Sequence, residues 1–519
     1  MLSFFKNIEL KQFEKYLILC ALCIHLFLAS YIGLSPDEAH YALYAKFLDW
    51  SYYDHPPMVG WLQYIFYKIN ESEFSLRILP TLSWLLSLAL ILKMTQKIKK
   101  DSIKQRVDHT ENRWIRWSIL IFIFSPLLHL LSFALVPDTL LIPLVLLMMI
   151  CTWNLLEFES YEKSTWKSWM GLGLVLGLAG LTKYTSIFFA ISIAYLILKQ
   201  FGLKILLTVK LWTAFVIALV CISPVVYWNQ QHDWISFNYQ LNHAAGSSEW
   251  LLRKCIVFLL VLILAYGPLF FMGLFIKTAP DEQGNFIKEK KIKSFFFIFS
   301  LPSLVILIFL SGRGSTLPHW AAPALVAVIP YIAFKCEKLG TYNLKIFNTA
   351  LIFQVLSSLT LIVFLYTAGF GQETGHEKTF NSHQLEKKSK NNPFADLYGW
   401  SEAGERAIDL LKKYELNKIA VTNWTLASRI AWYARPVPVN IIDPHHDQFD
   451  IWFGTIKVNE SILWVDWSMM PFKSPIEQGQ FESCELIEQL PIYHFNRQIS
   501  HFNFSKCSGW QGGGNQLEK

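Results

Sequence analysis

The chain has 519 residues, of which 53% are hydrophobic and only 16% are charged, and its formal net charge is +7. Water-soluble domains usually carry about 25% charged residues, so this composition excludes an ordinary soluble enzyme. Apolar runs of about 17 to 23 residues recur from Tyr16 to Leu365, and each is long enough to cross a bilayer as a helix. The sequence predicts a polytopic membrane protein.

Lysine and arginine are distributed unevenly between the loops. They concentrate in the N-terminal segment and in alternate loops such as "KIKKDSIKQR" and "KEKKIK", and the positive-inside rule places these in the cytoplasm. The positive charge therefore reflects orientation, and nucleic-acid binding is not expected. The predicted spans are eleven: 16–34, 78–94, 117–136, 139–156, 169–182, 185–198, 205–227, 255–276, 294–311, 319–334 and 346–367.

An odd number of spans with a cytoplasmic N-terminus places the C-terminal tail on the outer side. We expect a transmembrane domain over 1–368 with an outer loop at 35–77, followed by a small α/β domain over 369–519. In that tail, "NKIAVTNWTLASRIAWYA" predicts a strand and a helix, and "SILWVDW" predicts another strand. A signal peptide is disfavoured for 1–34 because cleavage would fall just before the richest polar cluster.

The tail holds one pair of cysteines, Cys484 and Cys507. An oxidising compartment would permit a disulfide between them, and the sequence leaves this open. The other six cysteines lie in or beside the spans and are interpreted as small apolar fillers. The tail segment "DPHHDQFD" is interpreted as a turn rather than a zinc site, because adjacent histidines point in different directions.

The unusual polar residues all fall in connections that the topology places outside, or at the outer ends of spans. Among them, Asp138 and Lys183 stand alone in apolar surroundings, where an ionisable group is costly unless it is paired or reaches water. For Lys183 the alternative is snorkelling to the interface. The candidate site residues are Asp37, Glu38, Asp54, His55, Asp138, Lys183, His243, Arg313 and His319.

Several candidates also have a structural explanation. Ser35-Pro36-Asp37-Glu38 has the form of a helix capping box, which leaves both a structural and a functional role open for Glu38. A cap does not require Asp37, so we expect that residue to be functional. Asp54 alternatively caps a second interfacial helix, and the intramembrane histidines His25 and His129 are interpreted as hydrogen-bonded packing residues.

Five segments, in this order and spacing, carry a resemblance to a known family. They are "SPDEAHYALYA", "DHPP", "PDTLL", "GLAGLTKYT" and "LPHWAAPALVAV", within about residues 15 to 335. The chain resembles the C-type membrane glycosyltransferases of the dolichyl-phosphate-mannose protein mannosyltransferase superfamily. Within it, the likeness is to the bacterial lipid A aminoarabinose transferases and lipopolysaccharide-core galacturonosyltransferases.

The resemblance implies an inverting transfer of a sugar from a polyprenyl phosphate carrier to an acceptor outside the membrane, such as lipid A or lipopolysaccharide core. It implies a monomer in the bacterial inner membrane, with the site and the tail in the periplasm. Asp37 would act as a base or orient groups, and Lys183, Arg313 and His319 would bind the donor phosphate. Asp138 would pair with Lys183 or bind sugar hydroxyls.

Two departures from the aminoarabinose transferases keep the sugar and the acceptor open. His40 stands where they carry arginine, and His55 stands where they carry lysine. No cofactor is certain, and Asp54, His55 and His243 are expected either to bind substrate or to hold a divalent metal ion, which the sequence leaves open. The alternatives are a protein O-glycosyltransferase of the same superfamily and a transporter of lipid-linked sugar, which would need polar groups near the bilayer midplane.

Overall fold

The computed structural model describes residues 10–102, 113–245, 249–276, 286–314, 316–337, 339–369, 392–443, 446–470 and 480–512. Two compact units share the chain, and each takes stretches that are distant in sequence. The first comprises Met1–Phe27, Asp49–Leu62 and Arg77–Leu359, and the second comprises Leu28–Leu48, Gln63–Leu76 and Thr360–Lys519. The domain boundary predicted at residue 368 stays a prediction.

The N-terminal two thirds of the chain are helical. The helices are α1 Gln12–Tyr31, α2 Pro36–Lys46, α3 Met58–Ile69, α4 Glu73–Ser102, α5 Arg113–Ile123, α6 Pro126–Leu130, α7 Pro137–Leu156, α8 Trp166–Thr182, α9 Ile187–Phe201, α10 Val209–Gln231, α11 Ile235–Ala245, α12 Leu252–Tyr266, α13 Pro268–Phe275, α14 Phe286–Ser311, α15 Ala322–Ala327, α16 Ile329–Glu337 and α17 Thr341–Thr367. Short 3₁₀ turns precede α9 and α15, at Tyr184–Ser186 and Pro318–Ala321.

The described residues contain seven continuous helices long and apolar enough to cross a membrane, or up to nine if each of two bent pairs forms one span. The prediction of a helical polytopic membrane protein is confirmed. The count of eleven is not reached, for two reasons. The third predicted span is divided into α5 and α6, and the fifth, α8, has only 17 residues.

Proline and glycine explain the breaks. Ser125 precedes Pro126 and adopts an extended conformation, because the proline ring disfavours a helical residue before it. Between α12 and α13 the chain bends by 107° at Gly267, whose φ of +88° suits glycine. A Cβ there would lie 2.1 Å from Gln354 Oε1 of α17.

Close packing of α8 against α10 anchors the end of α8 that leads to Lys183. Gly173 and Gly177 lie directly against Ala214 and Cys221, and a Cβ on Gly173 would come within 2.3 Å of the Ala214 carbonyl oxygen. Small residues allow helix backbones to approach in this way inside a membrane. Backbone contact thus fixes the helix that ends immediately before Lys183.

The second unit contains a five-stranded mixed sheet in the order β2-β1-β3-β5-β4. β1 pairs in parallel with β2 and β3, whereas β5 pairs antiparallel with β3 and β4. The small C-terminal α/β domain predicted from the sequence is confirmed. Its elements are α18 Trp400–Lys413, β1 Ile419–Val421, α19 Trp424–Tyr433, β2 Val439–Ile441, α20 Gln448–Phe453, β3 Ile462–Trp467, β4 Phe481–His494 and β5 Arg497–Trp510.

One hydrophobic core in this unit joins α2 with the helices and sheet of the tail. Ala39, Ala42 and Leu43 of α2 belong to the same cluster as Leu426 and Ile430 of α19. Cys484 and Cys507 face each other across β4 and β5 and form a disulfide. The disulfide that the sequence left open is thus present.

Candidate active site

Lys183 and Asp138 form a buried ion pair in the first unit. Lys183 ends α8, Asp138 lies in the first turn of α7, and Lys183 Nζ is 2.5 Å from Asp138 Oδ2. Their side chains are 7% and 1% exposed. Snorkelling to the interface therefore does not describe Lys183, whose ammonium group is paired instead. Asp138 Oδ1 is buried and has no hydrogen-bond partner among the described residues, so the carboxylate retains capacity to accept a hydrogen bond.

The 3₁₀ turn Pro318–Ala321 adds an imidazole and an indole to this pair. His319 Nε2 lies 3.7 Å from Asp138 Oδ2, and Lys183 Nζ lies 5.1 Å from the ring centroid of Trp320. The hydroxyl of Tyr266, a fully buried residue at the end of α12, donates to the Pro318 carbonyl oxygen at 3.0 Å. The ends of three helices and one 3₁₀ turn thus position one cation beside polar and aromatic groups. We call Lys183, Asp138, His319, Trp320 and Tyr266 the Lys183 cluster.

Asp54 and His55 lie in the loop before α3. His55 Nδ1 is 2.9 Å from Asp54 Oδ2, and Gln240 of α11 donates to the Asp54 backbone carbonyl oxygen at 2.6 Å. Arg313 follows α14 in a turn where Lys254 donates to its carbonyl oxygen at 3.3 Å. His243 is a residue of α11, and its side chain lies outside the described part of the structure.

Asp37 and Glu38 begin α2 in the second unit. The capping box is present: the Ser35 hydroxyl accepts from the Glu38 N–H at 3.4 Å, and Glu38 Oε2 accepts from the Ser35 N–H at 3.1 Å. Glu38 is buried, whereas Asp37 is partly exposed. The cap accounts for Glu38, so its catalytic role stays a prediction. Asp37 is not used by the cap.

The tail places a fully buried arginine, Arg429 of α19, in the same unit as Asp37. Arg429 pairs with Asp396 and stacks on Trp400, with 3.6 Å between its guanidinium carbon and the ring centroid. Burial lowers the pKa of Arg429, and the carboxylates of Asp396 and Asp37 oppose that shift. His40, one turn along α2, lies 3.4 Å from the Ser428 hydroxyl.

No three histidine, cysteine, aspartate or glutamate side chains lie together as a metal site would need within the described ranges. Asp54 and His55 supply two such groups, and the proposed third ligand, His243, cannot be placed with them. In the segment "DPHHDQFD", Asp447 is the N-cap of α20 and forms a capping box with Asp450. Burial raises the pKa of Asp447 to about 7. His445 lies outside the described residues.

Sequence reasoning missed Tyr266, Trp320, Arg77 and Arg429. The first two are aromatic residues in apolar runs, where a role in core packing is the usual explanation. Arg77 gave a better signal in the sequence, because it is a lone charge in the apolar run "SLRILPTLSWLL". In the structure it is only 1% exposed, and its guanidinium carbon lies 5.7 Å from the centroid of the Phe133 ring. A charged residue inside an apolar helix is costly and marks a functional position by default.

Comparisons with known proteins show what this chain is similar to. Residues 54–228 match the family described as dolichyl-phosphate-mannose-protein mannosyltransferase. The resemblance to this superfamily is confirmed. The matched range contains Asp54, His55, Asp138 and Lys183.

One curated relative of known activity is the lipid A galacturonosyltransferase RgtD of Rhizobium johnstonii. It is 22% identical over 298 residues, which is 56% of this chain. The chain spans 58% of the length of that relative.

The fold of this chain is similar to that of one solved membrane protein. ArnT from Cupriavidus metallidurans, solved bound to undecaprenyl phosphate, is 13% identical with a TM-score of 0.59. Its apo structure is 12% identical with a TM-score of 0.61. In both cases the similarity covers 94% of this chain and 97% of the other. The similarity therefore includes the tail as well as the membrane helices.

Proposed function

We propose that this protein is an inverting glycosyltransferase that moves a sugar from a polyprenyl phosphate carrier to lipid A or lipopolysaccharide core at the outer face of the bacterial inner membrane. The observation that carries the proposal is the Lys183 cluster. A buried ammonium group at the junction of apolar helices suits a phosphate attached to a lipid tail, because the tail can stay among the helices while the charge meets the cation.

The reaction is a single displacement. An acceptor oxygen forms a bond to the anomeric carbon as the bond from that carbon to the phosphate oxygen breaks, and the carrier monophosphate leaves with the electron pair. Lys183 stabilises the negative charge that develops on the phosphate, and His319 donates to a phosphate oxygen. Asp138 holds Lys183 in place before the donor binds, and Arg313 is proposed as a second cation for the phosphate.

Asp37 is proposed as the residue of the acceptor side. When the acceptor is a hydroxyl, Asp37 takes its proton. When the acceptor is a phosphate that is already ionised, no base is needed and Asp37 orients the reacting groups.

The deciding experiment compares a deletion strain with the same strain complemented by wild type or by Asp37→Asn. Mass spectrometry of lipid A and core from each strain should show one sugar missing in the deletion strain and restored only by wild type. Asp409→Asn, at an exposed position of α18, is the matched control and should restore the sugar. Unchanged lipid A and core in the deletion strain would refute the proposal.

A transporter of lipid-linked sugar is the rival from another class. Purified protein with a synthetic polyprenyl phosphate sugar and lipid A separates the two functions. Transfer in detergent solution, where no second compartment exists, requires an enzyme. A transporter would give no product under these conditions and would instead move the lipid across sealed vesicles.

A further inference from the structure

The second unit contains a cavity of about 540 Å³ that the proposed reaction does not use. Four stretches of chain line it: the end of α1 with Gly33, residues 71–74, residues 397–402, and residues 432–435 at the end of α19. The volume is within the range of about 300 to 1,000 Å³ that small-molecule sites occupy. All of its lining residues belong to this one unit.

Hydrogen bonds tie the walls of this cavity to each other. The Tyr433 hydroxyl donates to Glu73 Oε1 at 2.6 Å and accepts from the Leu34 N–H at 3.0 Å. The Gly33 N–H donates to the Leu397 carbonyl oxygen at 3.0 Å, and a Cβ on Gly33 would come within 2.6 Å of that oxygen. The cavity is thus held by specific contacts between distant stretches of chain, as a preformed site requires.

The lining combines carboxylates with aromatic rings and hydroxyl groups. Among the lining residues, three carboxylates, from Glu71, Glu73 and Glu402, outnumber the one guanidinium, from Arg435. Arg435 lies 3.7 Å above the Trp432 ring and 3.9 Å from Glu71 Oε2. The charge of the lining therefore disfavours an anionic ligand, such as a phosphorylated sugar, and favours a cation.

The other lining residues are of the types found in carbohydrate sites. They include the aromatic residues Tyr31 and Tyr398, which also contact Tyr366 and His494, and the hydroxyl-bearing residues Ser30, Ser72 and Ser401. Carboxylates accept hydrogen bonds from sugar hydroxyls and pair with ammonium groups. We propose that this cavity binds an amino-sugar glycan with a free amine. Since Tyr31 is the last residue of α1, a candidate span, the glycan would be one that extends from a membrane surface.

The test uses the full chain in lipid nanodiscs and the β-1,4-linked glucosamine disaccharide as probe, with binding followed by saturation-transfer NMR and calorimetry. The disaccharide should bind, its di-N-acetylated form should bind at least about tenfold more weakly, and added salt should weaken binding. Glucose 6-phosphate should not compete. Equal binding of the amine and N-acetyl forms, or no saturation transfer at all, would overturn the proposal.

Two pairs of variants locate the site. Glu402→Gln should weaken binding about three- to tenfold, whereas Glu405→Gln, an exposed residue of the same helix outside the lining, should leave it unchanged. Tyr31→Leu should also weaken it, whereas Tyr16→Leu, exposed at the other end of α1, should not. The two variants of each pair should unfold at the same temperature, which shows that neither is misfolded. If both variants of a pair weaken disaccharide binding equally, the ligand binds elsewhere.

The inference is independent of the transferase proposal. Asp37→Asn should abolish sugar transfer and leave disaccharide binding intact, so the two proposals fail separately. If Asp37→Asn abolishes transfer but wild type does not bind the disaccharide, only the proposal of a saccharide site is refuted. If wild type binds the disaccharide but transfers no sugar, only the transferase proposal is refuted.

Discussion

The ion pair between Lys183 and Asp138, whose side chains are 7% and 1% exposed, has both a structural and a chemical consequence. Removing one member of a buried pair leaves the other charge uncompensated, which typically costs about 3 to 5 kcal/mol. Replacing both by neutral groups avoids that cost. The pair can therefore be tested for stability and for function separately.

We expect Lys183→Met to lower the free energy of unfolding by about 3 kcal/mol, because Asp138 stays buried without its partner. The double variant Lys183→Met/Asp138→Asn should recover most of that loss and should still lack sugar transfer. Thermal unfolding in detergent and a transfer assay measure the two effects. An active double variant would mean that the pair is only structural.

Tyr266 offers a finer test of the same cluster. Tyr266→Phe removes the hydrogen bond to the Pro318 carbonyl oxygen and should cost about 1 kcal/mol of stability. It should also reduce kcat about tenfold with little change in KM for the acceptor, because the turn carrying His319 loses its anchor. Tyr195→Phe, at an exposed position of α9, is the control and should match wild type in both.

Isolated charges made the Lys183–Asp138 pair predictable from sequence. Each stands alone in an apolar segment, where the cost of burial requires a partner. Tyr266 and Trp320 could not be found in this way, because an aromatic residue in an apolar span has the same pattern whether it packs or positions a turn. The electrostatic influence of Asp37 on Arg429 was also out of reach, since the two residues are almost 400 positions apart in sequence.

Among the elements, the sheet strand β3 carries a half-buried acid, Asp466. Burial raises the pKa of Asp466 to about 7 from an ordinary 3.8, although His501 and Asn503 oppose the shift. The folded state therefore holds the proton more tightly than the unfolded state. The free energy of unfolding should fall as pH rises from about 4 to about 7, because the folded state must bury a charge.

Asp466→Asn removes that charge and should remove this part of the pH dependence. At pH 8 the variant should be more stable than wild type by up to about 4 kcal/mol, since the pKa of Asp466 rises from 3.8 to about 7 on folding, and at pH 4 the difference should be small. Thermal unfolding between pH 4 and pH 8 measures it. A constant difference across that range would contradict the raised pKa. Asp409→Asn, at an exposed acid, should show no such trend.

The helices were predictable as apolar runs, but their interruptions were not. Hydrophobicity averaged over a span does not reveal the helix breaks at Pro126 and at Gly267-Pro268. The sequence therefore predicted one span where the structure has α5 and α6, and one span where it has α12 and α13. The capping box of α2 was predictable because its residues are adjacent. Packing of α2 into the core of the tail was not, because no local pattern in α2 distinguishes a protein partner from a membrane interface.

At the scale of the whole molecule, the tail shares its core with α2. Residues 369–519 expressed alone should therefore expose the surface of α19 that packs on Ala39, Ala42 and Leu43, and should bind the dye ANS strongly. Co-expression with 1–368 should restore proteolytic protection of the tail. A tail that is monomeric, cooperative in unfolding and free of ANS binding when alone would contradict this.

The disulfide should stabilise the tail by closing a loop of 23 residues in sequence. The chain-entropy model gives about 3 kcal/mol for a loop of this size. Cys484→Ala/Cys507→Ala should lower the unfolding temperature by a matching amount. Cys20→Ala/Cys23→Ala, at exposed free cysteines of α1, should not change it.

In living cells, the redox state of Cys484 and Cys507 indicates on which side of the membrane the C-terminal strands lie. Thiols in the reducing interior stay available to maleimide reagents, whereas a bond sealed by the export oxidation machinery does not react until a reductant is added. Cells can be quenched rapidly with acid and treated with a maleimide that adds mass to each free thiol. The size of the protein on a gel would then show on which side of the membrane β4 and β5 lie, without any fused reporter.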